Sequence, residues 1–323
     1  MRMLGAMPEG ENALIEWLRR RFPADPVRVA IGLGDDAAAV RLDHPFVVIT
    51  ADMLLDGVHF LTGEHGFELI GRKAVACSLS DCAAMACWPR AATVSVALPN
   101  SMPVDAVKRL YEGMAVIADE FGCAIVGGDT TSWNGRLAID VAMLAEPMAP
   151  RGPVRRSDAR AGDTMYVSGP LGGSIAGKHL TFTPRIHLAS RLVLDPASRL
   201  VPEPVLHAMM DVSDGLALDL HRLCTASHCD AELSPPQVER VISDAARRLS
   251  ESDGRSPLDH ALSDGEDFEL LIAAGGDLRP EDHGLFPIGT VTPRADPARS
   301  AVVMRHPDGR VETVEPRGYE HFR

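Results

Sequence analysis

The chain has no long, uninterrupted apolar run. A membrane-spanning helix needs about 20 such residues, so no segment is expected to cross a bilayer. The stretch Met1 to Phe22 is broken by Glu9, Glu11, Glu16 and Arg19-Arg20-Arg21. Neither a signal peptide nor an anchor is expected there, and the expected location is cytoplasmic. Basic charge is scarce as well: 32 Lys+Arg stand against 45 Asp+Glu, a net charge of −13. A surface for nucleic acid or an anionic membrane needs a basic patch, so neither partner is expected. An anionic substrate would need metal ions, or a few local Arg and Lys, to offset this field.

The six cysteines, Cys77, Cys82, Cys87, Cys123, Cys224 and Cys229, include no CxxC pair. A zinc set is not expected, and His221 and His228 near the last two match no familiar ligand spacing. A disulfide framework is not expected in a chain of this size and compartment. The cysteines read as small buried hydrophobes.

What is present is enough for two domains. A length of 323 residues with 46% hydrophobic content supports two sizeable cores. Glu11 to Arg21 has Leu14, Ile15 and Leu18 at helical spacing, and Pro103 to Phe121 repeats Val104, Val107, Leu110, Met114, Ile117 and Phe121 before Gly122. Phe46 to Thr50, Ala91 to Leu98, Cys123 to Val126, Leu137 to Leu144, Thr164 to Ser168 and Phe268 to Ala273 read as strands. Val302 to Val314 reads as a hairpin turning at Asp308-Gly309. Pro147, Pro150, Gly152 and Pro153 interrupt the pattern, which places a boundary between domains 1–150 and 151–323. Strands and helices mix in both halves, so the expected class is α/β or α+β.

Carboxylates recur behind glycines or beside strand ends. Gly32-Leu33-Gly34-Asp35-Asp36 offers two hard oxygen donors after a turn, either a solvated turn or part of a magnesium-phosphate site. The strand ending at Thr50 leads to Asp52 in an expected loop, Ala51 to Phe60, that also carries Asp56 and His59. Asp81 interrupts the small apolar helix Phe67 to Ala86, where it serves as a cap, a salt-bridge partner or a ligand. Asp129 follows Gly127-Gly128 at an expected strand end. Asp211, Ser213 and Asp214 precede a helix that Asp214 could cap. Gly172 to His179 nearly spells the phosphate-binding G-x-x-x-x-G-K-[ST] loop, but His179 lacks the hydroxyl that such a loop needs for magnesium. Its amides either face a phosphate or satisfy the start of a helix.

Together these stretches resemble the thiamine-monophosphate kinase family, within the superfamily that also holds aminoimidazole ribonucleotide synthetase and selenophosphate synthetase. The resemblance rests on 32–38, Asp52 with Gly57-Val58-His59-Phe60, Leu79 to Met85, Gly127 to Thr131, Asp211 to Leu216, Gly265 to Leu270 and Gly318 to Phe322. It implies a two-domain ATP-binding subunit of the aminoimidazole ribonucleotide synthetase type, dimerising through N-terminal strands, with ATP and several Mg²⁺ ions held between the halves and thiamine monophosphate as acceptor.

Residue by residue, the resemblance implies metal binding at Asp36, Thr50, Asp52, Asp81, Asp129, Asp211 and Asp214. It implies nucleotide contacts at Tyr111, Gly128, Asp129, Arg156 and Ser213, and substrate contacts at His59, Glu266 and Tyr319. Ala51 and Gly173 depart from the family pattern, which usually has Thr and often has Asp there. The competing readings are a sister enzyme with another substrate and a nucleotide- or metal-binding scaffold without turnover. Selenophosphate synthetases are expected to carry a reactive Cys near a glycine-rich N-terminus, whereas the first cysteine here is Cys77.

Overall fold

Residues 11–23, 25–31, 38–194, 205–276, 278–298 and 300–320 are described by the computed structural model. The chain divides into two units, Met1–Ser78 with Pro89–Glu146 and Leu79–Trp88 with Pro147–Arg323.

The first unit begins with helix α1 (Glu11–Arg21), in which Leu14 and Leu18 are buried, followed by the antiparallel pair β1 (Val29–Ile31) and β2 (Ala39–Val40). Four further strands pair in the order β3-β6-β4-β5: β3 (Val48–Leu55), β4 (Cys87–Pro99), β5 (Ala124–Trp133) and β6 (Ala138–Pro147). β3 runs antiparallel to β6, and β4 parallel to β5.

Residues opposed across an antiparallel ladder share a face. Thr50, Asp52 and Leu54 therefore lie on the face of Met143, Val141 and Ile139, which are buried. Helix α2 (Phe67–Ala84) reaches this face through Ser78, whose hydroxyl donates to Asp52 Oδ2 at 2.6 Å. Ile49, Met53 and Leu55 point the other way and are exposed. Helix α3 (Val104–Glu120) starts after Pro103 and gives way to Gly122 in a left-handed conformation. It approaches α2 closely because Gly71 and Gly113 lack side chains: a Cβ on either would run into the backbone oxygen of Leu110 or Glu68.

Two strand boundaries differ from expectation. β3 continues through Leu55, so Asp52 sits inside a strand and the loop begins only at Asp56. β5 continues through Gly127-Gly128-Asp129, so Asp129 lies mid-strand opposite Ser95. The glycines do not break the strand: Gly128, at φ +148°, lets it pass close to β4, where a Cβ would strike the Val94 backbone.

The second unit holds a sheet of order β13-β12-β9-β11-β7-β10-β8: β7 (Thr164–Val167), β8 (Leu206–Asp211), β9 (Cys229–Leu233), β10 (Leu270–Ala274), β11 (Phe286–Pro293), β12 (Val302–Arg305) and β13 (Val311–Thr313). Neighbouring strands in this sheet are antiparallel except β12 with β9, which run parallel. Helix Leu216–Ser227 buries Leu216, Leu220 and Leu223 in one core with Met165, Val167, Met210, Leu271, Ile288 and Val291. The expected hairpin closes at Gly309, whose φ is +89°.

All six cysteines are buried, and none forms a disulfide. Burial pushes the Cys87 and Cys123 thiols up to about 12, which makes them inert near neutral pH. Among the described residues no helix is long and apolar enough to cross a membrane.

Candidate active site

In the first unit, β3 carries Thr50 and Asp52, both half-buried on the side facing α2. The following loop is pinned from two directions. Lys73, fully buried on α2, donates to the His59 carbonyl at 2.6 Å, and the Leu55 N–H donates to His59 Nδ1 at 3.0 Å. A neutral His59 ring therefore carries its hydrogen on Nε2. On β5, Gly128 permits the close strand pairing and Asp129 is exposed, with Oδ1 accepting the Thr130 N–H at 2.9 Å. Tyr111 on α3 is buried; burial raises its phenol, and its hydroxyl bonds the Thr130 side chain. Its ring meets Phe22 edge-on. Asp36, with the rest of Gly32 to Ala37, lies outside the described residues, as do His321 and Phe322.

In the second unit, Asp81 is half-buried near the end of α2. Its neighbour Ser80 donates to Asp211 Oδ2 at 2.6 Å, at the buried end of β8. Arg156 is exposed, and its carbonyl accepts the Ser227 hydroxyl at 2.7 Å. Three separated stretches are then laced together by backbone hydrogen bonds. Val212 N–H donates to Glu269 O and Phe268 N–H to Val212 O; Glu266 N–H reaches Ser213 O at 2.6 Å, and Tyr319 N–H reaches Asp214 O at 2.9 Å. Asp211, Ser213, Asp214, Glu266 and Tyr319 are thus gathered in one place.

Glu266 and Phe268 adopt left-handed φ angles of +51° and +50°. Such strain in residues with side chains persists only where the surroundings over-determine it. Here the backbone bonds to Val212 and Ser213 and the stacking of Phe268 on Phe182 do so.

The cap that Asp214 could have supplied is not made by its side chain. Gly215 is the cap position and has no side chain to offer. Asp219, one turn into the helix, accepts the N–H groups of Ser213, Asp214 and Gly215 on a single oxygen. Asp214 pairs instead with Arg222.

The glycine turn before the short helix Lys178–Thr181 is also accounted for. Gly172 N–H donates to the Asp267 carboxylate and Gly173 N–H to Asp264 Oδ2, so these amides serve internal anions. Lys178 donates to Glu269 Oε1 at 2.9 Å and to the Pro170 carbonyl at 2.9 Å. Arg185 grips the same carboxylate with both arms of its fork, at 2.8 and 2.7 Å, and Ser168 adds its hydroxyl. Burial pushes Asp267 up to about 6. Burial acts in the same sense on Glu269, but Arg185, Lys178 and Ser168 outweigh it and hold that carboxyl below the usual range.

Residues 34–146 match the family model described as AIR synthase related protein, N-terminal domain. The chain is 37% identical to the thiamine-monophosphate kinase of Rhodopirellula baltica over 96% of this chain and 97% of that one. The chain belongs to the thiamine-monophosphate kinase family. Another member, from Aquifex aeolicus, is 29% identical over 97% of this chain and 98% of that one. Among solved structures, AaThiL complexed with AMPPCP and TMP superposes with a TM-score of 0.74 at 28% identity, covering 97% of each chain. Thiamine-monophosphate kinase from Stenotrophomonas maltophilia gives a TM-score of 0.73 at 31% identity, covering 90% of this chain and 95% of that one. Hydrogenase maturation protein HypE in complex with ATP, at 21% identity and a TM-score of 0.77, shares the fold.

Sequence reasoning gave no role to Asp219, Arg222 or Arg185, read Lys178 only as part of a near match to a phosphate loop, and met Asp267 and Glu269 only as members of the stretch Gly265 to Leu270. A signal existed for two of them: Arg222 stands three residues beyond Asp219 on one helix face. The remaining candidates supply carboxylate and hydroxyl oxygens, the donor chemistry that suits magnesium. Among the described residues no three His, Cys, Asp or Glu side chains cluster as a ready metal cage.

Proposed function

We propose that this protein transfers the γ-phosphoryl group of ATP to the phosphate of thiamine monophosphate, forming thiamine diphosphate and ADP. The observation that carries this reading is its similarity to thiamine-monophosphate kinases over nearly the whole chain. The acceptor is a phosphate monoester with a second pKa of about 6, largely ionised at neutral pH, so no strong general base is required. The obstacle is the approach of two anions, which costs roughly 4 kcal/mol per pair of unit charges about 4 Å apart at an effective dielectric near 20. Magnesium supplies neutralisation of phosphate oxygens and alignment for in-line transfer.

In this reading Asp36, Thr50, Asp52 and Asp129, and Asp81, Asp211 and Asp214, are the oxygen donors for magnesium. Arg156, Gly128, Tyr111 and Ser213 serve the nucleotide. The Ser213 N–H and C=O are already engaged, so its hydroxyl makes the contact. Tyr111 acts from a buried position, bracing the strand that carries Asp129. His59 presents Nε2–H to the acceptor phosphate, Glu266 orients the substrate, and the exposed Tyr319 ring packs on the thiamine heterocycles. The stretch 1–150 carries the first metal and nucleotide residues, and 151–323 contributes the rest with Glu266 and Tyr319.

The same reading includes a homodimer. Ile49, Met53 and Leu55 form an exposed apolar row on β3, the kind of surface that a second copy covers. Cysteines outside any disulfide suit a cytoplasmic location, where thiols stay reduced. Quantifying thiamine diphosphate and ADP after incubation with thiamine monophosphate, ATP and Mg²⁺ tests the reaction. Equal amounts of both are expected, and ADP release without thiamine diphosphate would move the acceptor to another compound.

A further inference from the structure

Asp219 has no place in the residue sets above, yet it is fully buried, and one of its carboxylate oxygens serves a single loop. Its Oδ2 accepts the N–H groups of Ser213, Asp214 and Gly215 at 3.0, 2.9 and 3.2 Å. Its Oδ1 accepts Arg222 Nη1 at 2.9 Å, and the same nitrogen pairs with Asp214 Oδ2. Consecutive amides that converge on one point form a concave anion site. Here the anion is the chain's own carboxylate.

The arrangement differs from an ordinary helix cap. A capping side chain stands before the helix and serves amides inside it. Asp219 stands inside the helix Leu216–Ser227 and serves amides before it, so what it fixes is the loop. That loop holds more than itself. Its Ser213 carbonyl receives Glu266 N–H and its Asp214 carbonyl receives Tyr319 N–H. Two carboxylates, Asp214 and Asp219, would repel one another at this distance, and Arg222 lies against both. By taking Asp214 Oδ2, Arg222 also sets the direction in which Oδ1 points.

We infer that Asp219 and Arg222 are positioning residues, an internal anion and cation that fix the loop 211–215 so that Asp214 meets the magnesium-nucleotide while Glu266 and Tyr319 meet thiamine monophosphate. This inference rests on the kinase reading. It makes a specific statement about coupling: one disturbance of the clamp weakens both ligands together, because both sets of contacts hang from the same loop.

Arg222→Met is the principal variant, since the Arg222 side chain is 40% exposed and its loss leaves no cavity in the core. Calorimetric titration with Mg²⁺ and a non-hydrolysable ATP analogue, and separately with thiamine monophosphate, reads binding without turnover; steady-state kinetics adds KM for each. Affinity for both ligands is expected to fall about tenfold, with a melting temperature within a few degrees of wild type. Arg222→Lys, which keeps the charge and loses the planar fork, is expected to fall between the two. Wild-type affinities in a folded Arg222→Met protein would overturn the inference. Tighter nucleotide binding would overturn it too, by making Arg222 a competitor for Asp214. Should Arg222→Met not fold, Arg222→Lys decides the matter, with unchanged affinities contradicting the clamp. Failure of wild type to make thiamine diphosphate would count against the kinase reading, a result separate from these binding comparisons.

Discussion

Gly128 and Asp129 are neighbours with unlike tasks, and the difference begins at a missing methyl group. Gly128 lies against the Val94 backbone at a φ of +148°, where a Cβ meets both a steric wall and an unfavourable conformation. Gly128→Ala is expected to destabilise the first unit by several kcal/mol, or to prevent its folding, as read from thermal melts. Gly122→Ala is the comparison: its φ of +65° is strained but nothing stands within 4 Å of the new atom, so a loss of about 1 kcal/mol is expected. Equal, small losses in the two variants would contradict the close pairing of β4 and β5. Asp129, exposed beside it, is expected to behave oppositely. Asp129→Ala should leave the melting temperature near wild type while lowering turnover at least a hundredfold, in line with loss of a group that acts on transferring phosphates.

At the scale of elements, the turn Gly169 to Gly177 and the segment Asp264 to Glu269 form one ionic unit. Lys178 occupies the place of a phosphate-binding lysine yet is spent on Glu269. Lys178→Met is accordingly expected to cost about 1 to 2 kcal/mol of stability, with Arg185 still holding Glu269, and to leave KM for ATP within about threefold of wild type. A phosphate-binding role would reverse those two results.

Asp267 gives the same unit a pH signature. Its folded pKa, near 6, lies above the 3.8 of an unperturbed aspartate. Between those values the folded chain holds a proton that the unfolded chain has lost, so stability falls as pH rises from about 4 to 6, by at most roughly 3 kcal/mol for this group. Glu269, held low, acts only at more acidic pH and with the opposite sign. Denaturant melts should show wild type losing stability relative to Asp267→Asn as pH rises from 4.5 to 6.5. A difference independent of pH would contradict the burial of this carboxylate.

Elements also show what was legible in the chain. Helix α3 and the β12–β13 hairpin were plain because their periodicity and turn residues act locally. The ends of β3 and β5 were not, because Asp52 and Gly127-Gly128 resemble breakers until the partner strands β6 and β4 are known. Asp211 and Asp214 could be read together because one short stretch carries both. The Arg185–Glu269 and Gly172–Asp267 contacts could not, since they join residues far apart in sequence that follow no local spacing. A cap at Asp214 stayed open beside the ligand reading because Asp favours that position, and the loop's anchor, Asp219, was hidden inside the helix pattern.

For the whole molecule, two properties follow from the same composition. The charge of −13 would be reconciled with anionic ligands by the proposed magnesium, which would offset part of that field. The exposed row Ile49, Met53 and Leu55 bears on assembly. Placing a charge in its centre, Met53→Glu, is expected to shift a dimer to monomer in analytical ultracentrifugation, with the fold of each unit retained. An unchanged molecular mass would remove this face from the assembly.

The most direct measurement of the central claim is product analysis with purified protein, thiamine monophosphate, ATP and Mg²⁺, in the presence and absence of a chelator. The account predicts thiamine diphosphate and ADP in equal amounts, abolished by the chelator and restored by excess Mg²⁺. Nucleotide binding with no thiamine diphosphate formed, under conditions where another family member turns over, would contradict it.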